Sequence, residues 1–210
     1  MVDITRKWKT GTFRLLGLAL PGILVFSGCR EGLPKVTPEE ATLVVQTAEP
    51  AAGELIRTLV GRLTAAVEEE GIASAVAFCS MDAIPLTRLV EAGLDGDLGL
   101  KRTSFRYRNE SNAPDEAEEL ALRYFEERIL AEGEAPAHYV QRVSEEELRY
   151  YKPLFVSEFC LQCHGDPDAM DPEVRAKLEA DYPGDLATGY KAGDFRGLVR
   201  VSVPAALVQE

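Results

Sequence analysis

The sequence predicts an α+β fold, with helices early in the chain and a modest antiparallel sheet later. Residues 38–70 carry apolar side chains at steps of three and four, which is the period of one buried helix face. Later segments read as short strands joined by turns or by one helix, without a regular βα alternation. The length of 210 residues fits one domain with an added terminal segment, and 46% hydrophobic residues are enough to form its core.

The predicted helices cover residues 38–70, 73–78, 84–92, 112–131 and 172–182. Thr37 suits the N-cap of the first helix, Pro38 its first position, and Gly71 its end. The second helix is expected to carry Cys79 near its end. Strands are predicted over residues 101–108, 137–143, 148–156 and 197–203. The first of these alternates polar and apolar residues and is expected to be half-exposed.

The N-terminus has the pattern of a secretory signal. Four basic residues precede an apolar run, residues 15–26, that is too short for a membrane span of roughly 20 residues. The run ends in Phe26-Ser27-Gly28-Cys29, which resembles a bacterial lipobox. This resemblance implies cleavage before Cys29 and a diacylglycerol on its sulfur. A plain secretory signal and an uncleaved anchor are the alternatives.

This pattern divides the chain into a signal peptide of residues 1–28, a tether of residues 29–37 and a folded domain of residues 38–210. Export places the domain on the periplasmic side of a bacterial membrane, in an oxidising compartment. Arg30 is not the acidic residue expected for inner-membrane retention, which favours the outer membrane. Without the signal, 19 basic and 34 acidic residues leave a net charge of −15. Nucleic acid is therefore not an expected partner.

The motif with the clearest chemistry is Cys160-Leu161-Gln162-Cys163-His164, a CxxCH sequence typical of covalent haem c attachment. Two thiols at this spacing can bond the two vinyl groups on one porphyrin edge, and the histidine follows directly as an iron ligand. A redox CxxC, a structural disulfide and a zinc site are the alternatives. A redox CxxC motif would be followed by a helix, whereas Gly165 follows here. A zinc site would need a second pair of ligands. One motif predicts one haem.

The second axial position of the iron has few candidates. Only two histidines occur in the chain, so His138 is the spare imidazole. Cys79 is an odd thiol once Cys29 carries lipid and the motif cysteines carry haem. Composition alone leaves Cys79, His138, Met81, Met170 and an open site as alternatives.

Several short motifs, in order, resemble a family of small haem c domains first characterised in a cyanobacterial monohaem cytochrome. They are Ala77-Phe78-Cys79-Ser80, Lys101-Arg102-Thr103-Ser104, Arg108-Asn109, Asn112-Ala113-Pro114-Asp115, Tyr151-Lys152-Pro153-Leu154, the CxxCH segment, Tyr182-Pro183, Ala187-Thr188-Gly189-Tyr190, Gly193-Asp194 and Arg196-Gly197. The resemblance covers about residues 40–205. It implies a PAS-like antiparallel sheet with flanking helices. It also implies a haem c with His164 as proximal and Cys79 as distal iron ligand.

The expected function is a lipid-anchored monohaem protein in redox sensing or low-potential electron transfer, since a thiolate ligand favours ferric iron. The alternative is an extracytoplasmic sensory module that signals through a separate protein, without electron throughput. A redox or signalling protein is thus the expected partner, besides the membrane. An enzyme is not expected, because His138 is the only spare acid–base imidazole. Arg102, Arg106 and Lys152 are candidates for pairing with haem propionates or for simple solvation.

Overall fold

The computed structural model describes residues 34–208. The predicted signal peptide, Cys29 and the first part of the tether lie outside the described residues, so these predictions stand as they were made from the sequence. The last four tether residues precede the first helix directly.

Over the described residues, six helices and four strands form the domain. The helices are α1 (Pro38–Glu70), α2 (Ile72–Met81), α3 (Ala83–Ala92), α4 (Glu116–Glu132), α5 (Leu161–His164) and α6 (Pro172–Asp181). The strands are β1 (Gly99–Thr103), β2 (Tyr139–Arg142), β3 (Glu147–Phe155) and β4 (Phe195–Pro204). Short 3-10 turns lie at Glu110–Asn112, Glu158–Cys160 and Ala205–Leu207.

All strand pairs are antiparallel, in the order β1-β4-β3-β2. Helix α1 covers one face of this sheet, where its buried side chains pack with those of β3 and β4: Val44, Ala48, Ala52, Leu55, Leu148, Tyr150, Val199, Val201 and Val203. Helix α4 covers part of the other face with Ala121, Leu122 and Phe125, which pack on Tyr151 and Leu198. The α+β prediction is confirmed, and the sheet with flanking helices is the PAS-like arrangement that was expected.

Helix α1 begins and ends where the sequence predicts. The Thr37 hydroxyl accepts from the backbone N–H of Glu40, while the Glu40 carboxylate accepts from the Thr37 N–H, a reciprocal capping box. Gly71 ends the helix with a φ of 86°, which glycine adopts without strain. The buried side chains of this helix form much of the hydrophobic core on one face of the sheet.

The predicted strand over residues 101–108 is wrong in its second half. Strand β1 ends at Thr103, and the following residues leave the sheet because Ser104 and Arg106 bond to β4 instead of continuing the ladder. The Ser104 hydroxyl donates to the Arg196 carbonyl at 2.8 Å, and the Arg196 guanidinium donates to the Arg106 carbonyl at 2.9 Å. Alternation alone did not reveal these long-range bonds.

Helix α4 starts at Glu116, four residues later than predicted. Asp115 is its N-cap and accepts from the Glu118 N–H at 2.8 Å, so the preceding residues form a separate 3-10 turn. Helix α2 extends beyond the predicted range at both ends and includes Cys79. The one-turn helix α5 within the CxxCH segment was not predicted, and the remaining bounds differ by at most two residues.

Within residues 34–208, no single helix is long and apolar enough to cross a membrane. Helices α2 and α3 together meet the length and composition of a span, but a bend of 54° separates them. Both also bury side chains inside the domain, among them Val76 and Ala83.

Gly197 provides a test of the contact between β1 and β4. Its φ is 145°, and a Cβ atom there would lie 2.4 Å from the Thr103 carbonyl oxygen. We expect Gly197→Ala to lower the free energy of unfolding by about 2 kcal/mol or more, because strain and a backbone clash combine. The measurement is urea unfolding followed by circular dichroism. Gly184→Ala is the matched control, since no atom lies within 4 Å of its added Cβ. Equal midpoints for the two variants would contradict this view of the β1–β4 contact.

Candidate functional site

The CxxCH segment folds as a 3-10 turn that runs directly into α5. Its two cysteines face different apolar clusters. Cys160 packs beside Val156, Ala187 and Tyr190, whereas Cys163 packs against the cluster between α2 and α6 that includes Val76. The three described cysteines, Cys79, Cys160 and Cys163, are free thiols. The motif thus presents two thiols that are not bonded to each other.

Three hydrogen bonds fasten this segment to the loop before β4. His164 Nδ1 donates to the Ala187 carbonyl at 2.6 Å, and the Tyr190 N–H donates to the His164 carbonyl at 2.9 Å. The Gly189 N–H donates to the Gly165 carbonyl at 2.6 Å. Because a carbonyl can only accept, the proton of the neutral imidazole is on Nδ1, and Nε2 keeps a free lone pair.

Two arginines hold the loop itself. Arg108 Nε donates to Asp185 at 2.9 Å, and its Nη2 donates to the Cys163 carbonyl at 2.5 Å. Arg106 donates to the carbonyls of Leu186 and Thr188. The segment that leaves β1 therefore bridges the loop and the CxxCH turn, which explains why it does not continue the sheet.

His164 and Cys79 line the same cavity, which has a volume of about 200 Å³. Helix α2 brings Cys79 to it and α5 brings His164, although the two residues are far apart in the chain. Part of the cavity wall consists of three arginine side chains, those of Arg102, Arg108 and Arg196. The cavity therefore joins an imidazole and a thiol to a strongly cationic surface.

Burial keeps His164 and Cys79 neutral, and the charges of the wall assist it only at His164. Burial and the nearby Arg108 and Arg196 guanidiniums lower the pKa of His164 to about 3. Burial raises the pKa of Cys79, against the opposing effect of Arg108 and Arg102. Burial likewise raises the pKa of Cys163 to about 11. At neutral pH the chain thus offers an unprotonated imidazole nitrogen and protonated thiols.

A second cavity of about 170 Å³ lies beside the first and shares Cys79, Ala83, Arg102 and Leu154 with it. Its other walls are apolar and come mostly from the second half of α1: Ile56, Leu59, Val60, Leu63, Phe78 and Val199. The two cavities together are amphipathic, with a cationic part and an apolar part that meet at Cys79 and Arg102.

The other candidates for the sixth ligand lie elsewhere. His138 is exposed and stacks on the ring of Tyr150 at a centroid distance of 5.8 Å. Met81 is 65% exposed at the end of α2, and Met170 packs in the cluster between α2 and α6. Of the four side chains that composition left open, Cys79 is the one that lines the cavity with His164.

Of the three residues predicted as partners for haem propionates, one lines the cavities and two make other contacts. Arg102 lines both cavities. Lys152 instead donates to Glu49 at 2.5 Å, and Arg106 lies 3.9 Å from the centroid of the Tyr190 ring. Between residues 34 and 208, no group of three or more His, Cys, Asp or Glu side chains is placed to hold a metal ion.

Sequence reasoning gave no role in the site to Arg108 or Arg196. Both belong to short motifs of the family resemblance, so a signal was present, but no spacing rule connects them to His164. Their role depends on the exit of the chain from β1 and on the register of β4.

Comparison with known proteins gave two matches. A family model described as Tll0287-like matches residues 36–204. The crystal structure of the cyanobacterial heme-protein Tll0287 is similar to this chain at 23% identity and a TM-score of 0.56, over 80% of this chain and 96% of that one. The curated proteins gave no match.

Proposed function

The chain belongs to the Tll0287-like family, and from that premise we propose that it is a haem-binding protein with one covalently attached haem c. Cys160 and Cys163 attach the porphyrin, His164 is the proximal iron ligand and Cys79 the distal one. The relative of solved structure is a heme-protein, which supports the cofactor. The protein acts in redox sensing or low-potential electron transfer.

The observation that carries this proposal is the shared cavity of His164 and Cys79. One side chain presents a free Nε2 lone pair and the other a sulfur, and both are otherwise unused in the structure. A haem would supply an iron with two open axial positions, which is the number of donors present. The cationic and apolar walls also suit a group that has an apolar ring and two carboxylates.

The two thiols of the motif supply the covalent link. Each S–H adds across one vinyl C=C, so that one C–S and one C–H bond form and nothing is released. Cys160 and Cys163 are free and half-buried, three residues apart in one helical turn, which brings their side chains to neighbouring positions. The Ala187 carbonyl fixes the His164 ring during this chemistry, so that Nε2 stays available.

A second candidate function is a sensory module without electron throughput, which signals through a separate protein. The apolar cavity beside Cys79 favours it, because it leaves room for a small ligand or a displaced side chain near the distal position. Carbon monoxide binding by the reduced protein would favour the sensor, and its failure to bind would favour the carrier.

We further propose that the protein is not an enzyme. Besides the ligands, the charged side chains that line the cavity are arginines, which stay protonated at any physiological pH and cannot act as general bases. The protein is exported and lipid-anchored through Cys29 on the periplasmic side, with the outer membrane favoured by Arg30. A redox or signalling protein is the proposed partner.

Covalent attachment is tested by mass and extraction. We expect the denatured protein to keep its haem, with an intact mass equal to the processed, lipidated polypeptide plus one haem. In Cys160→Ala/Cys163→Ala we expect the haem to be extracted completely, because both thioether bonds are missing. Cys79→Ala is the control and should keep the haem, since it is not an attachment residue. Loss of haem from the wild type into acidified organic solvent would refute covalent attachment.

The distal ligand is tested by electron paramagnetic resonance of the ferric protein. We expect Cys79→Ser to abolish the low-spin thiolate signature while the haem stays attached, because the sulfur donor is replaced by a weakly binding hydroxyl. Met170→Leu is the control and should leave the spectrum unchanged. An unchanged spectrum in Cys79→Ser would remove Cys79 from the iron.

Anchoring is tested by fractionation. Each buried CH₂ of an acyl chain contributes roughly 0.8 kcal/mol, so a multiply acylated Cys29 should hold the wild type in the membrane fraction. We expect Cys29→Ala to leave that fraction or to fail processing. Recovery of the wild type entirely in the soluble periplasmic fraction would contradict the lipid anchor.

A further inference from the structure

Arg102 is a partly buried cation that contacts no carboxylate. It lies near the end of β1, and its side chain reaches the junction of the two cavities. Its Nε atom is buried and has no hydrogen-bond partner among residues 34–208. The charged or titratable groups that act on it are Cys79, Arg196 and Tyr182, and none of these is a carboxylate. Buried donors of this kind are rarely left unpaired, because each costs about 1–3 kcal/mol, and more when charged.

The neighbouring arginines do not relieve this imbalance. Arg108 is neutralised by Asp185, with both side chains about one-tenth exposed (9% and 11%). Arg196 donates only to neutral oxygens, the Ser104 hydroxyl and the Arg106 carbonyl, each at 2.9 Å. The wall of the larger cavity therefore holds three guanidiniums and, through Arg108, one carboxylate. Two of these guanidiniums, those of Arg102 and Arg196, contact no carboxylate.

Two other arginines of the domain are matched with carboxylates, although the Nε of Arg142, like that of Arg102, has no hydrogen-bond partner among the described residues. Arg149 donates to Asp115 at 2.7 Å and to Glu147 at 2.9 Å, and Arg142 pairs with Glu40. Elsewhere in the described chain, then, partly buried guanidiniums are matched with carboxylates. The exception occurs at the wall shared with His164 and Cys79, which points to a ligand that brings its own negative charge.

We infer that Arg102 and Arg196 form a carboxylate-binding site that receives the propionates of the haem, which are thereby directed into the protein. This inference rests on the proposed function. The number of unmatched guanidiniums equals the number of propionates on one haem. A planar guanidinium can bind a carboxylate with two parallel N–H···O bonds, and in a buried site such bonds are stronger than in water.

The competing role for Arg102 is electrostatic support of Cys79. The two side chains line the same cavities, and a nearby guanidinium favours the thiolate form of a cysteine. The two roles differ in which spectroscopic signal responds to a substitution. Propionate contacts appear in the propionate bending bands of the resonance Raman spectrum, whereas the thiolate appears in the ferric electron paramagnetic resonance spectrum.

The test uses the holoprotein with Arg102→Met, which keeps much of the side-chain volume but removes the charge and the donors. We expect the propionate bending bands to shift and the midpoint potential to move to a more negative value, because a cation near the iron is lost. The thiolate signature should stay. Arg102→Lys should recover most of the potential but not the Raman band, since lysine keeps the charge and lacks the planar fork.

Arg128→Met is the matched control for loss of one positive charge. Arg128 lies on α4, is half-exposed and pairs with Glu132, and it lines neither cavity. We expect it to leave both the Raman bands and the potential unchanged. If Arg102→Met does not accumulate as a folded holoprotein, the Raman band of Arg102→Lys decides the question.

Unchanged propionate bands in both Arg102 variants overturn the inference. A changed thiolate signature with unchanged propionate bands also overturns it and assigns Arg102 to Cys79. Failure of the proposed function looks different: the wild type then carries no covalent haem at all. In the Arg102 variants Cys160 and Cys163 are intact, so the haem is expected to remain attached and the two failures are distinguishable.

Discussion

The burial of three guanidinium groups around one small cavity is the condition on which the rest of the site depends. Like charges in a medium of low dielectric constant repel strongly, and they act on every titratable group nearby. Together with burial, Arg108 and Arg196 hold His164 in its neutral form. Such a wall is stable only if anions are supplied, by Asp185 within the chain and, in our proposal, by a carboxylate-bearing cofactor.

Arg108 and its neighbour Arg106 also shape the backbone. Arg106 and Arg108 leave the sheet after β1 and bind the loop of residues 185–190, which in turn fixes the ring of His164 through Ala187. The position of the imidazole therefore depends on side chains that are distant from it along the chain. An imidazole held in this way needs no large enclosing pocket, which suits a domain with a four-stranded sheet.

The position of Cys79 between a cationic and an apolar cavity bears on both candidate functions. A thiolate ligand would be stabilised by the cations on one side, which suits a low-potential carrier. A neutral thiol is tolerated by the apolar walls on the other side, which suits a sensor whose distal ligand leaves. In our proposal, the choice between carrier and sensor therefore depends on the strength of the bond between this sulfur and the haem iron.

The sequence by itself determined the α+β class, the bounds of α1, the CxxCH segment and the short set of distal-ligand candidates. These depend on local signals, namely the helical period, the capping residues around Thr37 and Gly71, and the spacing of two cysteines and a histidine. The tertiary structure decided which candidate shares a cavity with His164, where β1 ends, and that Arg108 and Arg196 belong to the site. Each of these outcomes depends on hydrogen bonds or packing between segments about 50 to 90 residues apart, such as those from Arg108 to Asp185 and from Ser104 to Arg196. A local pattern cannot encode such pairings, because the sheet register that creates them is set by the packing of the whole core.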